Sequence, residues 1–369
     1  MQDAVPPRAS YEHRPGRWVA DPSWPSPNVA QHAVDLSPDR TAVVGPVGES
    51  AGNPPACTPI AEALQVGSAQ AHGVTGGGRS CSYATSFDLA IDQRHDDAFA
   101  LCFDSAPLSE GIEILGIPEA ALDLAADRQH ALVAVRVCDV APDGTSTLVT
   151  RGVLNLTHRD SHEHPEPLEP HCRYAVRFPL HAIGYAIPAG HRIRVAITPT
   201  CWPLVWPSPE PVTLSVHPGA SRVLLPVRET GATVEFPYPE PEQAKFDHEP
   251  LGGAERGTIS RDLASGTVTV TYEGGGGFTV PSDSGAEMRY QPWERDIFQV
   301  SDADPLSARS IADRRLEIER GDWHARADAH AEMTADEENF HISTRVTTYS
   351  DSEQLFDRTW SYSIPRDHV

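Results

Sequence analysis

The sequence predicts an all-β protein, a jelly-roll β-sandwich followed by a second antiparallel β domain, and three observations predict it. Proline is abundant, at 34 residues, with 27 glycines, and proline sits inside neither helices nor central strands. Between about 86 and 228 the apolar residues come in short runs of strand length, separated by turn chemistry. Beyond about 255 apolar and polar residues alternate with period two.

The short runs are Phe99 to Phe103, Ile112 to Leu115, Leu132 to Val140, Tyr174 to Phe178, Ile193 to Ile197 and Val223 to Val227. Most are rich in β-branched or aromatic residues, and Pro142-Asp143-Gly144 and Pro188-Ala189-Gly190 are turn sequences between them. Several strands at this spacing, without long helical periods, indicate a sandwich or jelly roll. Residues 119–126 are compatible with one short helix. In the C-terminal part Val268, Val270 and Tyr272 interleave with threonines, and Phe340, Ile342, Thr344 and Val346 repeat the pattern. Trp323, Ala325, Ala327, Ala329, Ala331 and Met333 extend it over a longer strand. Period two with one polar side means an antiparallel sheet with a solvated face. The run Gly274 to Gly277 reads as a flexible loop.

The remaining segments read as connections. Residues 1–45 carry Pro6-Pro7, Arg14-Pro15-Gly16, Asp21-Pro22, Trp24-Pro25 and Ser26-Pro27, the punctuation of an extended strap. Trp18 and Trp24 would anchor it. Residues from about 46 to 85 read as loop, with at most a helical turn or two over 60–66. Residues 229–254, with Pro237, Pro239, Pro241 and Pro250 among glutamates, read as a semi-rigid linker.

Composition excludes some functions. A formal net charge of −23 argues against nucleic acid and against anionic lipid, both of which select clustered Lys and Arg. No run of about 18 apolar residues could span a membrane. The N-terminus lacks the apolar stretch of a signal peptide, which gives the expectation of a cytoplasmic location. Six scattered cysteines without a CxxC pair are then expected to be reduced thiols; Cys102 and Cys138 read as buried small hydrophobes.

Three segments invite a chemical reading. Gly48-Glu49-Ser50-Ala51-Gly52 fits GxSxG, the nucleophile elbow of α/β-hydrolases. Gly45-Pro46 breaks the strand before it, and Asn53-Pro54-Pro55 occupies the place where a helix should start. Ser50 therefore reads as a loop serine, with an esterase using Ser50 kept as an alternative. The stretch His158-Arg159-Asp160-Ser161-His162-Glu163-His164 has metal-ligand side chains, but it has no matched second cluster and Pro165 follows. We expect no metal and no cofactor. Trp202 and Trp206 can line an apolar pocket or pack under a proline-rich loop. Asp92-Gln93-Arg94 and Asp96-Asp97 read as surface ion-pair groups.

Several segments taken in order resemble the CocE/NonD (cocaine esterase) family of hydrolases and its X-Pro dipeptidyl-peptidase relatives. They are Arg17-Trp18 with Trp24-Pro25, Asp92-Gln93-Arg94, Pro107-Leu108 before Ile112 to Gly116, Cys138 to Gly144, Arg151 to Leu154, and Pro188 to Arg194. The resemblance covers about residues 1–228 and matches the family's C-terminal, galactose-binding-like jelly roll; the tail 255–369 resembles an extension of some members. It implies that the Ser, Asp and His of the catalytic triad lie in a preceding α/β-hydrolase domain. This chain is then expected to be a non-catalytic C-terminal portion, separated from that domain by a split gene, a frameshift or a mis-called start. Residues 1–45 would strap onto the hydrolase domain, which is the expected partner, with a homo-oligomer as a further possibility. His158, Arg159, His162, Trp202 and Trp206 are the candidates for a substrate pocket or domain interface. The alternative from a different class is a stand-alone β-sandwich ligand-binding module.

Overall fold

The computed structural model describes residues 17–47, 63–77, 89–229, 234, 248–253, 255–281 and 286–369. The described residues are almost all strand, in two sheets, and the chain divides into two compact units, with one boundary at Pro237/Tyr238.

The first unit opens with β1 (Val29–Leu36), β2 (Thr41–Pro46) and β3 (Leu64–Gly67), then a single helical turn, α1 (Arg94–Asp97). β4 (Leu101–Ser105), β5 (Ile112–Gly116), β6 (Glu119–Ala126), β7 (Leu132–Val140) and β8 (Ser146–Asn155) follow. A 3-10 turn, Leu156–His158, leads through a long loop to β9 (Arg173–Pro179) and β10 (Ile183–Ile187). β11 (Arg192–Thr198), β12 (Thr213–Val216) and β13 (Arg222–Arg228) complete the unit. Pairing is antiparallel except between β2 and β4. The core contains Phe103, Leu122, Val135, Ile197, Leu214 and Leu225, all under 2% exposed. Burying side chains of this size is the main force that closes the unit.

Three expectations are corrected here. Residues 29–45 are not strap: β1 pairs along seven residues with β13 and on its other side with β2, so that stretch belongs to the sheet. Residues 119–126 are not helix. Their helix-forming composition is overridden because β6 is hydrogen-bonded to β9, β12 and β13 and Leu122 and Leu124 point into the core. Residues 64–67 are a strand, not a helical turn.

The second unit is one sheet of β14 (Glu249–Leu251), β15 (Arg256–Arg261), β16 (Thr267–Gly275), β17 (Gly277–Val280), β18 (Met288–Ser301), β19 (Asp304–Arg320), β20 (Trp323–Ala335), β21 (Asn339–Ser350) and β22 (Glu353–Pro365). β18 to β22 form a meander of long antiparallel hairpins. The glycine run is not a flexible loop: Gly274 and Gly275 end β16 and Gly277 starts β17. Gly277 has φ +138°, and a Cβ there would collide with the Tyr290 carbonyl, so this close approach of backbones requires glycine.

Among the described cysteines, Cys102, Cys138 and Cys201 carry free thiols, whereas Cys172 is disulfide-bonded. The expectation of reduced thiols throughout is corrected at that residue.

Candidate functional site

Two loops leave the same end of the first unit. The register sets Asn155 at the end of β8 opposite Leu132, and Thr198 at the end of β11 opposite Ala134. The 3-10 turn and the Cys201–Pro207 turn therefore both start beside the first residues of β7. Leu132, Ala134 and Cys201 form a small apolar cluster there, with Val153, Leu204 and Val205 packed on it.

Each candidate residue has a defined place on these loops. Asn155 caps the 3-10 turn by accepting from the Thr157 amide. Arg159, its side chain 10% exposed, donates to the carbonyls of Leu156 and Glu166 and lies 4.5 Å over the Tyr174 ring. It closes the loop, and a guanidinium suits that work because Nη1 donates to two carbonyls at once while the flat face stacks on the ring. His158 and His162 approach with ring centroids 5.5 Å apart and Nδ1 atoms 3.4 Å apart; His162 is exposed. Among the described residues no group of three or more His, Cys, Asp or Glu is placed to hold a metal ion. Trp202 is buried and meets the partly exposed Trp206 edge to face at 5.4 Å. Ser50 lies outside the described residues.

Beneath the Trp turn lies a buried polar network that the sequence reading missed. It sits on the side of β7 that faces away from the main core, where the alternation of the strand places Arg136. The Arg136 guanidinium donates to Gln93 Oε1 at 2.7 Å and to Asp97 Oδ1 at 2.9 Å, and meets His72 Nε2 at 3.2 Å. Asp97 Oδ2 also accepts from Ser146 at 2.7 Å and from Arg194 at 2.9 Å, and Arg194 forks onto Asp104. Gln93 Nε2 donates to the carbonyls of Thr75 and Ile91. Asp96 and Asp97 are thus buried rather than surface groups, which corrects that expectation; Asp92 and Arg94 do pair near the surface, at 2.5 Å.

The network covers itself with backbone. Residues 70–77 have no regular structure yet are buried throughout, and polar groups bought into a core need partners. Thr75 N–H donates to Asp96, Arg151 donates to the Gly76 carbonyl, and the His72 carbonyl accepts from Trp202 N–H at 2.8 Å. That last bond ties the network to the Trp turn. Gly73, with φ +106°, passes so close to the turn that a Cβ would lie 2.7 Å from the Trp202 carbonyl oxygen. Burial, then the charge of Arg136, push His72 down to about 4 against the opposing pull of Asp96, so the imidazole is neutral at pH 7. Asp96 is raised by its burial, but the hydrogen bonds from His95 and Thr75 and the charge of Arg136 outweigh it and leave the carboxyl below its ordinary value. The arrangement contains no nucleophile activated by a base. What it can do is hold the Trp turn in one position.

No helix among the described residues is long and apolar enough to cross a membrane. Comparison with known proteins gives the family. Residues 4–245 match the family model of the X-Pro dipeptidyl-peptidase C-terminal non-catalytic domain. The chain is 26% identical over 114 residues to the cocaine esterase of Rhodococcus sp. (strain MB1 Bresler), which covers 30% of this chain and 20% of that protein. Among solved structures, an aminopeptidase from the marine sediment archaeon Thaumarchaeota archaeon aligns at 21% identity with a TM-score of 0.48, over 57% of this chain and 39% of its own. An α-amino acid ester hydrolase aligns at 23% identity with a TM-score of 0.40, over 46% and 34%. The chain thus spans between a fifth and two fifths of these relatives. With more than half of its residues inside the family model, the chain belongs to the X-Pro dipeptidyl-peptidase C-terminal non-catalytic domain family and is a C-terminal part of a CocE/NonD-type protein.

Proposed function

We propose that the loop end of the first unit, with His158, His162 and Trp206, caps the active site of an α/β-hydrolase domain of the serine esterase, amidase or X-Pro dipeptidyl-peptidase class. The observation that carries this reading is the buried network under the Trp turn. A loop end that only faced water would gain little from Arg136, Asp97, His72 and Gln93 being buried and mutually satisfied, since such groups cost desolvation energy. Fixing a surface against a partner within a fraction of an ångström is what such a network supplies. The role of these residues is to shape and position, with the triad supplied by the hydrolase domain.

The test joins the chain to that hydrolase domain, with an activated-serine fluorophosphonate as probe. We expect no labelling of this chain alone, labelling of the hydrolase domain in the joined protein, and a loss of about tenfold or more in kcat/KM for Trp206→Ala and His162→Ala together. Unchanged kcat/KM in both variants would remove the capping role. Labelling of this chain that Ser50→Ala abolishes would replace the reading by an esterase using Ser50.

The cytoplasmic location belongs to the same proposal. The disulfide at Cys172 runs against it, because reducing compartments keep thiols open. Counting thiols in protein taken directly from cells decides: Cys172 alkylated without reductant supports the cytoplasm, and a blocked Cys172 places the protein in an oxidising compartment.

A further inference from the structure

His368 and Val369 belong to the first unit, and His368 meets its loop end at three points. The His368 carbonyl accepts from Asn155 Nδ2 at 2.8 Å and lies 2.9 Å from Thr157 Oγ1. The imidazole stacks on His130, with ring centroids 5.8 Å apart and planes 27° from parallel. Thr157 is 1% exposed, so the carbonyl reaches a buried part of the 3-10 turn.

Asn155 uses both ends of its amide here. Its Oδ1 accepts from the Thr157 amide and caps the turn, and its Nδ2 holds His368. Thr157 Oγ1 lies 2.9 Å from Asn155 Oδ1 as well as from the His368 carbonyl, and its single proton serves one acceptor at a time. His368 thus engages the two side chains that define the start of the turn. His130 adds a support beside them, because its neighbours carry the loop at both ends. The Ala131 carbonyl accepts from Leu156 N–H and the Gln129 carbonyl from Leu168 N–H, both at 2.9 Å. The backbone bends to bring His368 there: Asp367 has φ +46° and His368 φ +74°. Residues with a Cβ enter the left-handed region singly, not in succession, and such conformations persist where the surroundings hold them. The bonds to Asn155 and Thr157 and the stack on His130 supply that hold.

We propose that His368 is a positioning residue for the cap, fixing the 3-10 turn and with it the loop from His158 to Glu166. The inference rests on the capping role proposed for this loop end. Its three contacts bracket the segment that carries His158, Arg159 and His162. Arg159 closes that segment onto the carbonyls of Leu156 and Glu166, and Glu166 N–H returns to the Thr157 carbonyl at 2.8 Å. A turn fixed at Asn155 and Thr157 therefore fixes the loop that closes on it. Support of this kind, from residues behind the ones that face the site, is what keeps a site within ~0.5 Å of its working geometry.

The experiment is hydrogen exchange of the full chain, read at the Thr157, Arg159 and Glu166 amides. The second readout is kcat/KM of the chain joined to its hydrolase domain. Deletion of His368 and Val369 is expected to speed exchange at these amides about fivefold or more and to lower kcat/KM about threefold. Asn155→Asp keeps an oxygen that caps the turn but sets a carboxylate against the His368 carbonyl, and is expected to match the deletion. His368→Phe keeps the carbonyl and an aromatic ring on His130, and is expected to retain wild-type exchange and kcat/KM. Unchanged exchange in both the deletion and Asn155→Asp overturns the proposal. So does a His368→Phe variant that exchanges as fast as the deletion. The Val135 amide in β7 reports opening of the whole unit; if the deletion speeds it too, Asn155→Asp decides on the same three amides. Faster exchange with unchanged kcat/KM supports the hold of His368 on the turn and removes the capping role, so the two readings fail separately.

Discussion

Arg136 Nη2 donates to Asp97 Oδ1 at 2.9 Å, with the two side chains 2% and 4% exposed. The pair joins the middle of β7 to the end of α1 across 39 residues of sequence. Removing Asp97 leaves the Arg136 charge buried without its ion-pair partner. Removing Arg136 leaves Gln93 Oε1 and Asp97 Oδ1 without their donor, with Arg194 as the remaining counterion of Asp97. Arg136→Met is therefore expected to cost about 3–5 kcal/mol in urea unfolding, and Arg136→Lys most of it, since an ammonium cannot reach Gln93, His72 and Asp97 from one plane. A double-mutant cycle with Asp97→Asn should show strong coupling. Additive losses would mean that the two residues act independently.

His72 makes the stability of the first unit depend on pH. Its folded pKa, about 4, lies below the ordinary imidazole value of 6.5, so below pH 6.5 the unfolded chain takes up a proton that the folded chain refuses. The stabilisation is complete above pH 6.5 and is lost as the pH falls towards 4, about 3 kcal/mol in all. The groups that face the ring are Arg136, which repels the proton, and Asp96, Asp97 and the Thr200 carbonyl, which favour it. Asp96, lowered as well, adds a loss of the same sign below its ordinary value. Urea midpoints between pH 7.5 and 4.5 should fall in the wild type, and His72→Gln should start lower and fall less. Parallel slopes would show that the imidazole is not the group that titrates.

The strands were legible where one principle decided them. Leu132 to Val140 is apolar enough to be a strand buried on both sides, and the alternation at Val268, Val270 and Tyr272 appears as alternating burial in β16. Legibility ended where partners are remote. Glu119 to Ala126 has the composition of a helix, and only the three strands beside it make it a strand. Asp97 looks like any surface aspartate until Arg136, Ser146 and Arg194, up to 97 residues away, converge on it. One signal was available: an arginine in the middle of the apolar run of β7 demands a buried counterion.

The free thiols are expected to be unreactive in the folded chain. Burial, with the charge of Asp97 nearby, pushes Cys102 up to about 12; burial pushes Cys138 up to about 12 and raises Cys201 as well. Only the thiolate is nucleophilic, so iodoacetamide at pH 8 should alkylate none of the three at the rate of a free thiol. In urea all three should react fully. Rapid modification of Cys102 in native protein would show that the end of α1 opens, because its thiol donates to the Asp97 carbonyl there.

Gly73 is the position where the buried segment and the Trp turn come closest. At φ +106° an alanine is strained before any contact is counted, and its Cβ would lie 2.7 Å from the Trp202 carbonyl oxygen and 3.0 Å from the Cys201 carbonyl carbon. Both neighbours are backbone, so a rotamer change cannot relieve the overlap; the Trp turn has to move. Gly73→Ala is expected to cost about 1–3 kcal/mol for the backbone conformation alone and to shift the tryptophan emission as Trp202 and Trp206 change surroundings. Gly144 separates strain from contact, because it has φ +88° and nothing within 4 Å of an added Cβ. Gly144→Ala should carry the conformational cost without the spectral shift. If both variants lose the same stability and leave the emission unchanged, the contact between residue 73 and the Trp turn contributes nothing to holding that turn in place.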